Sequence, residues 1–209
     1  MELIKNLTWR YATKQFDPSK KISQESLDKL KQAVQLSVSS YGLQLYKILI
    51  VENNELREKL KPASWGQNQI TDASHLFVFC NYTNVENKEI DNFLELSAKT
   101  QNINIAVLQD YGDFMKEKIT GMATSEQHNW TKRQTYIALT NLLTACAELK
   151  IDACPMEGFE TEKYNEILGL SEKGLNAAVI APIGYRSKND DAQYRKKVRK
   201  PLTELFEVK

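Results

Sequence analysis

Two basic clusters stand near opposite ends of the chain, Arg10-Tyr11-Ala12-Thr13-Lys14 and Arg195-Lys196-Lys197-Val198-Arg199-Lys200. An arginine fork, an ammonium group and the free N–H groups of a tight turn are what a phosphate needs. Taken singly, either cluster also fits a solvated surface. The second, with five cations in six residues, fits a phosphate, a nucleic acid or a solvated tail. No aromatic residue lies among those five cations and the formal net charge is only +1, which weighs against a nucleic-acid-binding module built on 195–200. Two further segments attract attention. Pro155-Met156-Glu157-Gly158-Phe159 follows a predicted strand, and its glycine either admits a flat ligand close to the backbone or merely makes the turn. Ser39-Ser40-Tyr41-Gly42, just before Gln44, is a polar loop leading into a strand, a common place for ligand contacts and equally for none.

Other chemistries are poorly supplied. The chain has no GxSxG, HExxH, GxxxxGK[ST] or GxGxxG after a strand, so its chemistry is expected from a bound cofactor and not from a side-chain triad. Cys80, Cys146 and Cys154 are odd in number and form no CxxC pair, which reads as reduced thiols in a reducing, cytoplasmic compartment. His75 and His128 lack a suitably spaced third ligand, so no metal is expected, and His75 reads as a structural histidine. The N-terminus shows no secretory pattern. The longest apolar runs, 76–80 and 177–184, are far short of the roughly 20 residues a membrane span needs.

The elements that must carry these residues are readable from periodicity. A short helix is expected over 2–10. A second begins after Ser23 as N-cap, with Leu27, Leu30, Ala33, Val34 and Leu36 at helical spacing. YKILIVEN is a buried strand, followed by a short helix from Asn54 to about residue 60 and a polar, turn-like stretch, PASWGQNQITDAS. HLFVFCNY is a second buried strand. Residues 84–120 suit helices, with Ile103, Val107, Tyr111 and Phe114 repeating every three or four positions. A long amphipathic helix over 126–150 carries Trp130, Ile137, Ala138, Asn141, Leu142, Ala145, Cys146 and Leu149 on one face. IDACPMEGF is a short strand and turn. TEKYNEILGL is a helix capped by Thr161 and ended near Gly169. LNAAVIAPIGY is a third strand, apolar enough to be covered on both faces. PLTELFEV reads as an edge strand or docking segment. The result is an α+β chain, one domain over 1–209, with few strands and long helices; such a chain often covers its sheet by pairing with a second copy.

In order along the chain, five segments resemble the nitroreductase family, and more narrowly its oxygen-insensitive NAD(P)H nitroreductase and dihydropteridine reductase branch. They are R-Y-A-T-K-Q-F-D at 10–17, S-x-S-S at 37–40, Q-x-Q-I-T-D-A-S-H at 67–75, P-M-E-G-F at 155–159 and K-V-R at 197–199. The resemblance implies a central, mostly antiparallel sheet flanked by long helices in an intertwined homodimer. It implies FMN as cofactor, NADH or NADPH as reductant, and a ping-pong reaction ending on a small-molecule acceptor such as a quinone, nitroaromatic or pterin.

Site residues follow from the same resemblance. Arg10, Lys197 and Arg199 match the clamp on the FMN phosphate, with Tyr11 and Ala12 in the same turn. Lys14 and Gln69 match contacts to the pyrimidine edge of the flavin. Pro155, Glu157 and Gly158 match the loop whose backbone faces flavin N5. Ser39, Ser40 and Gly42 match contacts from the opposite subunit, while Tyr41, Tyr111 and Phe114 are aromatic candidates for the substrate wall. No residue is assigned as a general acid. The chain departs from the family pattern at Gln44-Leu45-Tyr46, where Pro-Trp commonly follows the glutamine. It has Gly42 for a frequent Asn, Ala12 for a frequent Ser and Gln69 for a Lys found in some relatives. These changes bear on redox potential and substrate range more than on FMN binding.

Overall fold

The strands form where runs of apolar and β-branched residues are longest. The computed structural model of the chain describes residues 1–209. Strand β1 is Tyr46–Val51, β2 is His75–Tyr82, β3 is Asp152–Ala153 and β4 is Leu175–Gly184, in the sheet order β1-β2-β4-β3 with every neighbouring pair antiparallel. The period-2 alternation of β2 sends Leu76, Val78 and Cys80 into one core and Phe77 and Phe79 into another. Both of its faces are covered, as its unbroken apolar sequence requires.

The helices are α1 (Glu2–Trp9), α2 (Gln24–Gln35), α3 (Asn54–Leu60), α4 (Gln69–Asp72), α5 (Asn87–Gln101), α6 (Gln109–Thr120), α7 (Thr124–Glu148), α8 (Thr161–Leu168) and α9 (Leu202–Leu205). Helices α2 and α7 cover one face of the sheet: Leu27, Leu30 and Val34 meet Ala138, Leu139, Leu142 and Cys146 over Phe77 and Phe79. The other face takes Leu60, Ile70 and Tyr164 from α3, α4 and α8. Helices α5 and α6 close a third, smaller core around Leu45 and Val85. The α+β expectation of a central antiparallel sheet flanked by long helices holds, as does Ser23 as N-cap, whose hydroxyl accepts from Ser26 N at 3.2 Å.

Several local expectations need correction. Glu160, not Thr161, occupies the N-cap of α8 and makes no side-chain cap bond, while Thr161 is the first helical residue; Gly169 does end the helix, in the left-handed region at φ 60°. The stretch 62–74 is not simply a polar turn, since Ala63, Ser64, Gln69, Ile70 and Ala73 are buried. Its organiser is Arg57 of α3, a fully buried guanidinium donating to the carbonyls of Ile70, Thr71, Ala73 and Ser74. Arg57→Met leaves these acceptors in the dark without donors and is expected to cost about 3 kcal/mol or more, read by urea denaturation. On α7 the buried face includes Thr131, Gln134 and Thr135 as well as Ala138, Leu142 and Cys146, while Ile137 is exposed. These polar residues are buried because each finds a partner, such as Tyr82 O for Thr131 Oγ1 at 2.6 Å. Finally, 201–208 is no strand: it contains the short helix α9 and stands wholly exposed.

Candidate functional site

The N-terminal segment reaches the sheet by pairing with its far edge. Ala12 bridges Ala153 of β3 in parallel fashion and Phe16 bridges Arg186, so residues 10–14 run beside the turn that follows β3. The chain after β4 returns over the same place. Asp190 fastens the two: its carboxylate accepts from Tyr11 Oη at 2.8 Å, Lys14 N at 2.8 Å, Gln15 N at 3.1 Å and Ala192 N at 3.0 Å. Burial pushes the pKa of this carboxyl upward, but the four donors together outweigh burial and hold it below the ordinary carboxylate range. A depressed folded-state pKa means that the tie is fully present above the unfolded value of about 3.9 and is lost as pH falls through the folded value. Acidification well below about pH 4, through the lowered pKa of Asp190, is therefore expected to release 190–199 from 10–15, seen as faster exchange of the Lys14 and Gln15 amide protons.

A second brace lies beneath the first. The Arg186 guanidinium is stacked between Trp9, 4.3 Å from the ring centroid, and Tyr11, at 4.6 Å. It forks onto buried Asp152 with contacts of 2.8 and 2.6 Å, and the Arg186 amide donates to the same carboxylate at 2.8 Å. Lys197 crosses from the C-terminal segment to donate to Leu7 O at 2.8 Å and to Arg10 O, satisfying carbonyls at the end of α1 where a cation is favoured.

These braces bring Arg10, Tyr11, Ala12, Lys14, Pro155, Lys197 and Arg199 onto one cleft of ≈ 740 Å³. No aspartate or glutamate lines it. Arg10 is destabilised as a cation by burial and by Arg199, and Lys197 by burial, Arg10 and Arg199. Three cations that repel one another in an acid-free cleft are suited to an anion carrying more than one charge. The fit to a phosphate is thus a property of the donor set itself.

Other predicted residues lie elsewhere. Glu157 accepts from Tyr136 Oη of α7 at 2.5 Å, and the pair, with burial as the larger cause, pushes the Tyr136 phenol up to about 12. Gly158 lies under Trp65, whose ring would come within 2.8 Å of an added Cβ, and Gln67 donates to Gly158 O at 3.0 Å. Gln69 is buried in α4. Ser39, Ser40 and Gly42 do not line the cleft; they form a turn held by Gln134, which accepts from Ser40 N at 2.8 Å, with Tyr41 at φ 56°. Tyr41 meets Phe114 and Trp130 edge-on at 6.5 and 6.2 Å, whereas Tyr111 is half exposed on the outside of α6. Cys154 is buried, and burial pushes its thiol up against the pull of Lys14. His75 is likewise structural, with Nδ1 at 3.0 Å from Ser74 Oγ.

The Nitroreductase family model matches residues 7–185. A protein of Staphylococcus haemolyticus provisionally named an NAD(P)H nitroreductase is 33% identical, over 98% of this chain and 96% of its own. The chain belongs to the nitroreductase family. A Haemophilus influenzae relative with the same provisional name is 37% identical over 94% of this chain and 91% of its own. Among solved structures, a Staphylococcus epidermidis protein provisionally described as an NAD(P)H:FMN oxidoreductase has a TM-score of 0.87 at 18% identity, covering 99% of this chain and 95% of that one. A nitroreductase-type protein of Exiguobacterium sibiricum, solved in complex with FMN, has a TM-score of 0.83 at 19% identity, covering 100% and 96%. At these identities the structures speak for the nitroreductase fold alone.

The braces of this nitroreductase-family site escaped sequence reading. Trp9, Asp152, Arg186 and Asp190 gave no local signal, since their partners lie up to 179 positions away. Trp65 left a faint one, an aromatic residue before a glycine in a polar stretch. No helix is long and apolar enough to cross a membrane.

Proposed function

We propose that this chain is an FMN-dependent NAD(P)H oxidoreductase that passes electrons to a quinone, nitroaromatic or pterin-type acceptor. The observation that carries the reading is the acid-free cleft on which Arg10, Lys197 and Arg199 converge, in a chain of this family. Arg10, Lys197 and Arg199 would hold the FMN phosphate, with Tyr11 and Ala12 in the same wall. Lys14 and Gln69 would meet the pyrimidine edge, and Pro155, Glu157 and Gly158 the centre of the ring. FMN bound there supplies two-electron uptake from NAD(P)H and delivery to the acceptor. The protein's own part is to hold, orient and shield. Lys14 offers a positive charge beside the ring, and Tyr136 steadies Glu157, as Trp65 and Gln67 steady Gly158. Tyr41, Tyr111 and Phe114 would bound the acceptor.

A homodimer completes the proposal, with Ser39, Ser40 and Gly42 of one copy meeting the flavin of the other. Its support is the apolar surface left uncovered in one chain: Leu36 and Val38 after α2, and Leu205, Phe206 and Val208 in the C-terminal segment, the last 98% exposed. Sedimentation at low protein concentration is expected to give a dimer, and a flavin-loaded monomer contradicts it. Three buried cysteines with no disulfide suit the cytoplasm. The reading as a whole is tested by the absorption spectrum after incubation with FMN and removal of excess: a retained flavin band is expected, and a colourless protein refutes it.

A further inference from the structure

The cleft carries more positive charge than one flavin phosphate can use. Arg10, Lys14, Arg195, Lys196, Lys197 and Arg199 all line it. None of the six has a carboxylate partner, although many surface lysines of this chain do, such as Lys29 with Glu25 and Lys163 with Glu160. A phosphate monoester carries about 1.5 to 2 negative charges at neutral pH, enough to offset two of the six. With Arg10, Lys197 and Arg199 given to that phosphate and Lys14 to the ring, Arg195 and Lys196 remain. The residue before them is Tyr194, which also lines the cleft, ends the turn Asp191–Tyr194, is 76% exposed and has a hydroxyl with no hydrogen-bond partner.

An exposed aromatic ring followed by two free cations has the chemistry to receive a phosphorylated adenosine. The ring offers a stacking face and the cations take a phosphate on the sugar. We propose that Tyr194, Arg195 and Lys196 receive the adenosine 2′-phosphate end of NADPH, so that this protein prefers NADPH to NADH. The proposal rests on the FMN reading above, because it assigns the remaining cations to a phosphate already in place.

The probe is adenosine 2′,5′-bisphosphate against adenosine 5′-monophosphate, titrated calorimetrically into FMN-saturated protein. The bisphosphate is expected to bind about tenfold or more tightly, the worth of one charge-assisted contact. Arg195→Gln with Lys196→Gln is expected to abolish that advantage with FMN still retained, and to raise KM for NADPH while leaving kcat and the KM for NADH unmoved. Tyr194→Ala is expected to weaken both adenosine ligands by the same factor. Equal binding of the two ligands, or an advantage that survives the double substitution, overturns the proposal while the flavin reading stands. So does inorganic pyrophosphate binding as tightly as the bisphosphate, since it shows a surface for any anion. A protein that retains no FMN overturns both, and the flavin band of the starting material separates that case from the others.

Discussion

Arg10→Ala combined with Arg199→Ala is expected to strip the protein of its flavin while leaving the flavin-free fold intact. Each arginine offers charge-assisted hydrogen bonds to a phosphate, worth about 1.5–3 kcal/mol apiece. Losing both weakens FMN by about 3–6 kcal/mol, or roughly a hundredfold to ten-thousandfold. The opposite sign applies without FMN. Arg10 and Arg199 then repel each other, as the lowered pKa of Arg10, after burial, records. The only hydrogen bond of the Arg199 side chain is to the neighbouring Val198 carbonyl, so little else is lost. Added FMN should raise the melting temperature of the unsubstituted protein and leave that of the double variant unmoved, since a ligand stabilises only by binding the native state. A variant that keeps wild-type FMN affinity shows that the clamp has been misplaced.

Asp152→Ala is expected to produce a large loss of stability although Asp152 lies outside the cleft. Asp152 is buried and holds the Arg186 guanidinium and amide together. Removing it leaves a partly buried cation without its counter-charge, for which about 3–5 kcal/mol is the usual cost. The consequence reaches the cleft because Arg186 is the filling between Trp9 and Tyr11, the residues on either side of Arg10. FMN should therefore bind more weakly in this variant as well. Stability and binding can be separated. Asp152→Val with Arg186→Met removes both charges and is expected to recover much of the stability, because an apolar pair of similar volume often replaces a buried ion pair without loss. It should not recover FMN affinity, as no guanidinium then separates the two rings. Urea denaturation and FMN titration on the three proteins give both numbers.

Much of the fold is legible in the sequence because burial on two faces leaves a simple trace. His75–Tyr82 and Leu175–Gly184 are continuous apolar runs, and they are the two central strands. The polar face of α7 was not legible. Thr131 and Gln134 look like solvent positions until their partners on other elements are known, and buried Thr135 turns its hydroxyl back onto Lys132 O of the same helix. The segment 201–208 misled for a related reason: its residues suit an edge strand, yet a strand needs a neighbour to pair with, and within one chain it has none. At the site, the cations at 10–14 and 195–199 could be joined by the order of the family motifs. The residues that enforce the junction, Asp190 above and Asp152 with Arg186 below, could not, because long-range pairing leaves no spacing to read.

The central claim is that the cleft holds a flavin able to take a hydride from a reduced nicotinamide. It is tested most directly by anaerobic titration of the FMN-loaded protein with NADPH, followed at the flavin absorption band. Bleaching in proportion to the NADPH added, complete at one equivalent per flavin, and return of the band on adding a quinone are the predicted results. A flavin that stays oxidised through excess NADPH and NADH contradicts the account.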